Sequence, residues 1–144
     1  VPLRLDFPKG TPPEARLSQI IDSMLHRILY GGASGEWNIF LREIVDPCGG
    51  HDLIVEKIAA PHFKAISSAI AELLGPKATQ EQIRYCTLSV VSQLAFQRLA
   101  RPIIAKVAPE QNYDEESIAA LSAHVAKFSL MALKAYRKDI ERGK

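Results

Sequence analysis

Four histidines and two cysteines are the residues in this 144-residue chain whose chemistry goes beyond packing. His26 has Asp22 one helical turn before it. No second pair of this kind completes a metal site, and no Glu-x-x-His occurs, so the helical di-iron carboxylate pattern is missing. Cys48 precedes His51 by three residues, but nothing in the sequence places a third group to orient the imidazole. A loop thiol is the ordinary reading. Cys86 falls in a helical run and reads as a small core residue. There is no Gly-x-Ser-x-Gly, and no Gly-rich phosphate loop follows a strand. These residues predict a protein that is not an enzyme and that needs no metal or cofactor.

His62 is the more informative polar residue. It falls near the apolar side of a helix, directly after Pro61. It is either a satisfied core histidine or a polar group lining a cavity, where it orients a ligand. Trp37, Phe40 and Phe63 are either core aromatics or walls of that cavity. Tyr85 and Gln93 supply polar groups from a later helix. With Leu41, Ile44 and Phe96 these make the candidate ligand-binding set. Arg42 and Glu43 are neighbours in sequence and diverge on a helix, so one of them can point inward.

The elements that must position these residues are all helical. Thr11, Pro12 and Glu14 form a start signal, and Leu17, Ile20, Ile21, Met24, Leu25, Ile28 and Leu29 follow at helical spacing. Gly31 and Gly32 stop that helix. Ser34 opens a short second helix through Val45, and Asp46 to Gly50 is a loop. A third helix runs from about His51 to Leu74, with Pro61 inside it predicting a kink near Lys57. Gly75 and Pro76 end it. Thr79 and Gln82 make a capping box for a long fourth helix. Pro102 bends or ends that helix, and a shorter turn with Ile103, Ile104 and Val107 follows. Asp114 caps the fifth, whose tail from Lys134 reads as a solvated terminus. The fold class is all-α, five main helices in a bundle, with no strand pattern and no repeat.

The fourth helix organises the rest. Val90 and Leu94 share a direction with Ile83 and Thr87, Leu88, Val91, Ala95 and Leu99 form a second stripe, and Tyr85, Ser89, Ser92, Phe96 and Ala100 a third. A surface helix on a monomer needs one apolar stripe, so this one predicts packing on a partner as well as on its own core. On the fifth helix, Ser122, Ala126 and Ser129 are small residues that allow close helix contact. The predicted dimer interface is Leu88, Val91, Ser92, Ala95 and Leu99 with Ser122, Val125, Ala126, Ser129 and Leu133.

Hydrophobic residues at 47% and charged residues at 24% suit an ordinary globular domain. A net charge of +2 is too small to argue for nucleic acid. No apolar run of transmembrane length and no signal peptide stands out, so a cytoplasmic protein without a membrane partner is the expectation.

Three stretches carry a family resemblance. The first is Leu41-Arg42-Glu43-Ile44-Val45-Asp46-Pro47, followed by Leu53-Ile54-Val55-Glu56-Lys57-Ile58 and Pro61. The second is Ser92-Gln93-Leu94-Ala95-Phe96-Gln97-Arg98-Leu99-Ala100-Arg101-Pro102-Ile103. The third is Tyr113-Asp114-Glu115-Glu116-Ser117-Ile118 leading into Ala123-His124-Val125-Ala126-Lys127-Phe128-Ser129-Leu130. In their order and spacing they resemble the C-terminal regulatory domain of TetR-type transcriptional regulators, in the subgroup related to CecR. The resemblance implies a homodimer whose last two long helices form a four-helix bundle, and a small-molecule effector cavity among the preceding helices. It implies that effector binding alters the spacing of two N-terminal helix-turn-helix heads and so their hold on operator DNA, with repression as the expected output. On this reading residues 1–10 are a lead-in, the remnant of an upstream linker, and residues 11–144 are the regulatory domain. The helix-turn-helix domain is missing from the sequence, so operator DNA is reached only through it. Cys48-Gly49-Gly50 departs from the Thr- or Ser-containing loop associated with the subgroup. The alternative is a stand-alone helical dimeric interaction protein without ligand or DNA output.

Overall fold

A computed structural model describes residues 5–30, 36–49 and 51–144, and at Glu36, Trp37 and His51 the backbone alone. Among the described residues all regular structure is helical. The order is α1 (Pro13–Tyr30), α2 (Glu36–Val45), α3 (His51–Ile54), a π-helical turn (Val55–Ala59), α4 (Ala60–Leu74), α5 (Gln80–Leu99), α6 (Arg101–Val107) and α7 (Glu115–Glu141). The all-α bundle predicted from sequence is present, with α3, the π turn and α4 forming the single kinked third helix. The expected breaks at Gly31 and Gly32 and the start at Ser34 lie outside the described residues.

The core is built on α1. Leu17, Ile20, Ile21 and Leu25 have essentially no exposed surface, and the helix packs on α4, α5 and α7. Each such aliphatic side chain contributes about 1.5–3 kcal/mol on leaving water. α1 is therefore the helix enclosed on most sides, whereas α5 keeps an open stripe. Its start differs from the sequence reading. The Arg16 N–H bonds to the Pro12 carbonyl at 3.0 Å, so the helix begins one residue later than a Thr11 cap requires. The Thr11 hydroxyl instead donates to the Pro8 carbonyl at 2.7 Å and closes the preceding turn. Pro12 and Pro13 have no N–H to leave unsatisfied, which removes much of the need for a side-chain cap.

The sequence signals for α5 and α7 are realised locally. Thr79 accepts from the Gln82 backbone at 3.1 Å while Gln82 Oε1 accepts from the Thr79 N–H at 2.9 Å. The Asp114 carboxylate accepts from the Ser117 N–H at 2.8 Å. That bond holds the Asp114 carboxyl below the usual carboxylate value. Beyond Lys134 the chain stays helical to Glu141, and Ile140 returns to the core, so this segment is structural. α4 ends at Gly75, whose φ of 87° suits glycine. A Cβ there would sit 3.3 Å from the Arg137 guanidinium, which donates to the Leu73 carbonyl and covers the helix end.

The kink predicted at Pro61 takes a specific form. Val55 to Ala59 widen into a π turn, with the Ala60 N–H bonding to the Val55 carbonyl five residues back. Proline cannot donate to Lys57 and its ring crowds that carbonyl, so a wider turn before it relieves the clash.

Candidate ligand cavity and pairing face

The π turn opens space against α1, α2 and α5. A cavity of about 450 Å³ lies there. Phe40 and Ile44 come from α2, His62 and Phe63 from α4, and Val91 and Ala95 from α5. Met24 and Ile28 of α1 and Val55, Ile58, Ala59 and Ala60 around the π turn complete the walls with Leu94 and Lys64. None of these α1 and π-turn residues stood out in the sequence as cavity-lining. The Pro61 kink was the signal that could have found the second group.

His62 is the polar group set into this wall. Its Nδ1 donates to the Ile58 carbonyl in the π turn, since a carbonyl can only accept. Burial, and then the positive charge of Arg27, push the ring below the usual histidine value, against the opposing pull of the Ile58 bond. The imidazole is therefore neutral at physiological pH, with Nε2 as its acceptor nitrogen. Ile58 and His62 also face a second hollow of about 430 Å³, where Arg27 and Lys57 lie.

The remaining members of the predicted ligand set are elsewhere. Tyr85 is exposed on α5, with its hydroxyl donating to Glu81 at 2.9 Å. Gln93 ties α5 to α7 by donating to the Ser129 hydroxyl at 3.3 Å. Phe96 is 59% exposed and points away from the cavity. Leu41 is half-buried outside the cavity wall. The Trp37 side chain lies outside the described residues.

The predicted interface is also redistributed. Val91 and Ala95 line the cavity. Ser122, Val125, Ala126, Ser129 and Leu133 are 3–8% exposed and face the chain's own core, leaving almost no surface for a partner. Small residues let α7 approach its neighbours closely, and here those neighbours are intramolecular. Leu88, Ser92 and Leu99 are exposed. With Tyr85 and Phe96 they form an open apolar face on α5, with Phe128 and Tyr136 of α7 across from Tyr85. A groove of about 240 Å³ runs between the two helices.

The other candidate residues make local contacts. Glu43 is buried and Arg42 exposed. The Glu43 carboxylate accepts from the Cys48 N–H at 3.2 and 3.3 Å, and from its thiol at 3.2 Å. This folds the loop back onto the end of α2. Burial pushes the Cys86 thiol up, as suits a residue packed against the core. His26 Nδ1 lies 2.9 Å from the Asp22 carbonyl. Among the described residues no three His, Cys, Asp or Glu side chains cluster as metal ligands.

Comparison with known families decides which fold this is. The model for the C-terminal domain of the HTH-type transcriptional dual regulator CecR matches residues 13–133. The chain belongs to this family. It is thus a TetR-type regulator domain. The match runs from the first turn of α1 to Leu133 and takes in the whole cavity and all of the α5–α7 face but Tyr136. Neither the curated proteins nor the solved structures give a match. α7 is long and apolar enough to cross a membrane by length and composition alone, contrary to the sequence reading. Its packing on α1, α4 and α5 makes it a bundle helix of the CecR-type domain.

Proposed function

We propose that this domain senses a small molecule in the α1–α2–α4–α5 cavity and pairs with a second copy through the outer faces of α5 and α7. One observation supports the reading above the others. α5 presents Val91, Leu94 and Ala95 to the cavity and Leu88, Phe96 and Leu99 to the outside. A shift of this helix on filling the cavity is therefore a shift of the pairing face. Arg98 donates to the Asn38 side chain at 3.1 Å and links the end of α5 to α2, a second cavity wall. The output is operator DNA affinity, with repression the expected direction, through a helix-turn-helix domain outside these 144 residues. An effector does this only by binding one arrangement of the dimer better than the other.

A small-molecule screen by thermal shift tests the sensing half. A saturable rise in melting temperature that Ala95→Phe abolishes supports it. Hits that stabilise the Ala95→Phe variant equally well would place binding outside the cavity and remove the sensing role.

A further inference from the structure

Building on that sensing reading, we infer that the cavity takes an uncharged, predominantly apolar molecule and discriminates against both cations and anions of the same size. Apart from His62 and Lys64, the described residues of its walls are apolar, the Met24 thioether among them. Lys64 is exposed, so its ammonium stays in water while its stem contributes to the lining. His62 is neutral, and its one N–H is committed to the Ile58 carbonyl. A cation entering this space loses its water and meets no carboxylate among the described lining residues. Lys64 stands at the wall, and Arg27 and Lys57 line the hollow behind His62. An anion fares no better. Arg27 and Lys57 lie beyond the partition made by Ile58 and His62, so a carboxylate in the cavity loses its water without a buried cation or donor to replace it. The volume of about 450 Å³ is that of a drug-sized molecule of a few rings.

Isothermal titration of the whole chain with three probes of one shape tests this. The probes are naphthylmethanol, naphthoate and naphthylmethylammonium. The expected result is naphthylmethanol binding at least about tenfold tighter than either ion. Ala95→Phe, which fills the cavity from α5, abolishes that binding. Ala60→Trp, at an exposed position on the cavity rim, provides the same test should Ala95→Phe fail to fold. An ion that binds as tightly as the alcohol, and is lost with the filling variants, overturns the inference and leaves the sensing cavity standing. Naphthylmethanol binding that survives both variants overturns the placement. No binding by any of the three overturns both the ligand class and the sensing reading.

Discussion

Gln93 on α5 donates its side-chain N–H to the Ser129 hydroxyl on α7 across 3.3 Å. The bond joins the two helices that carry the open apolar face and fixes their separation within one chain. Ser129 is buried, so its hydroxyl needs a partner. Removing either group should cost about 0.5–1.5 kcal/mol. A double-mutant cycle with Gln93→Ala and Ser129→Ala in urea should return a favourable coupling energy; additive effects would mean that the bond does not form in solution.

The two faces of α7 predict opposite outcomes for two substitutions. Ala126 sits in the core, so Ala126→Arg buries an unpaired charge and should cost on the order of 4 kcal/mol. Loss of helicity by circular dichroism is the readout. Phe128 is 58% exposed, and Phe128→Asp should change the chain's own stability by no more than about 0.5 kcal/mol while abolishing pairing. Ala126→Arg that stays folded and monomeric would restore the small-residue face as the interface.

These two residues also show where sequence reading reached its limit. Helical spacing places Ala126 and Phe128 on different faces of α7 but does not say which face meets the chain's own helices. Small residues signal close approach without naming the neighbour, so Ser122, Ala126 and Ser129 read as pairing residues when α7 uses them inside the protomer. Val91 and Ala95 read as pairing residues on the same helical spacing and line the cavity. Signals confined to one turn were legible: the Thr79–Gln82 box, the Asp114 cap and the Pro61 kink are all formed. Phe40, Ile44, His62 and Phe63 were brought together as expected, because the kink and the short α2 fix their place. Ile58 and Ala59 were not foreseen, because a wheel drawn at α-helical pitch does not register a π turn.

Pro61→Ala should restore a backbone N–H and let the π turn close to α-helical pitch. The melting temperature should rise, since a proline inside a helical run is unfavourable. Naphthylmethanol affinity should fall, because Val55, Ile58 and Ala59 would leave the cavity wall. A more stable variant with unchanged affinity would remove the kink from the functional site.

Acid should destabilise the domain in two windows. His62 has a folded value below its ordinary 6.5, so the unfolded chain binds the proton more readily. The stability it contributes is complete above that value and is lost as pH falls through the folded one. The charged groups around the ring are Arg27 on α1 and Lys57 and Lys64 on its own helical run. His62→Phe should flatten this part of the stability profile. Asp114 acts in the same direction below its ordinary 3.8, and Asp114→Asn should remove that lower window. Urea midpoints measured across the acid range separate the two; an unchanged slope in His62→Phe would mean that the ring is solvated.

Sedimentation equilibrium of the chain at micromolar concentration tests pairing most directly. The α5–α7 face predicts a species of twice the 15.9 kDa chain mass. It also predicts that Phe96→Asp and Phe128→Asp sediment as folded monomers. A wild-type chain that sediments as a monomer, or a dimer that survives both substitutions, would contradict pairing through this face.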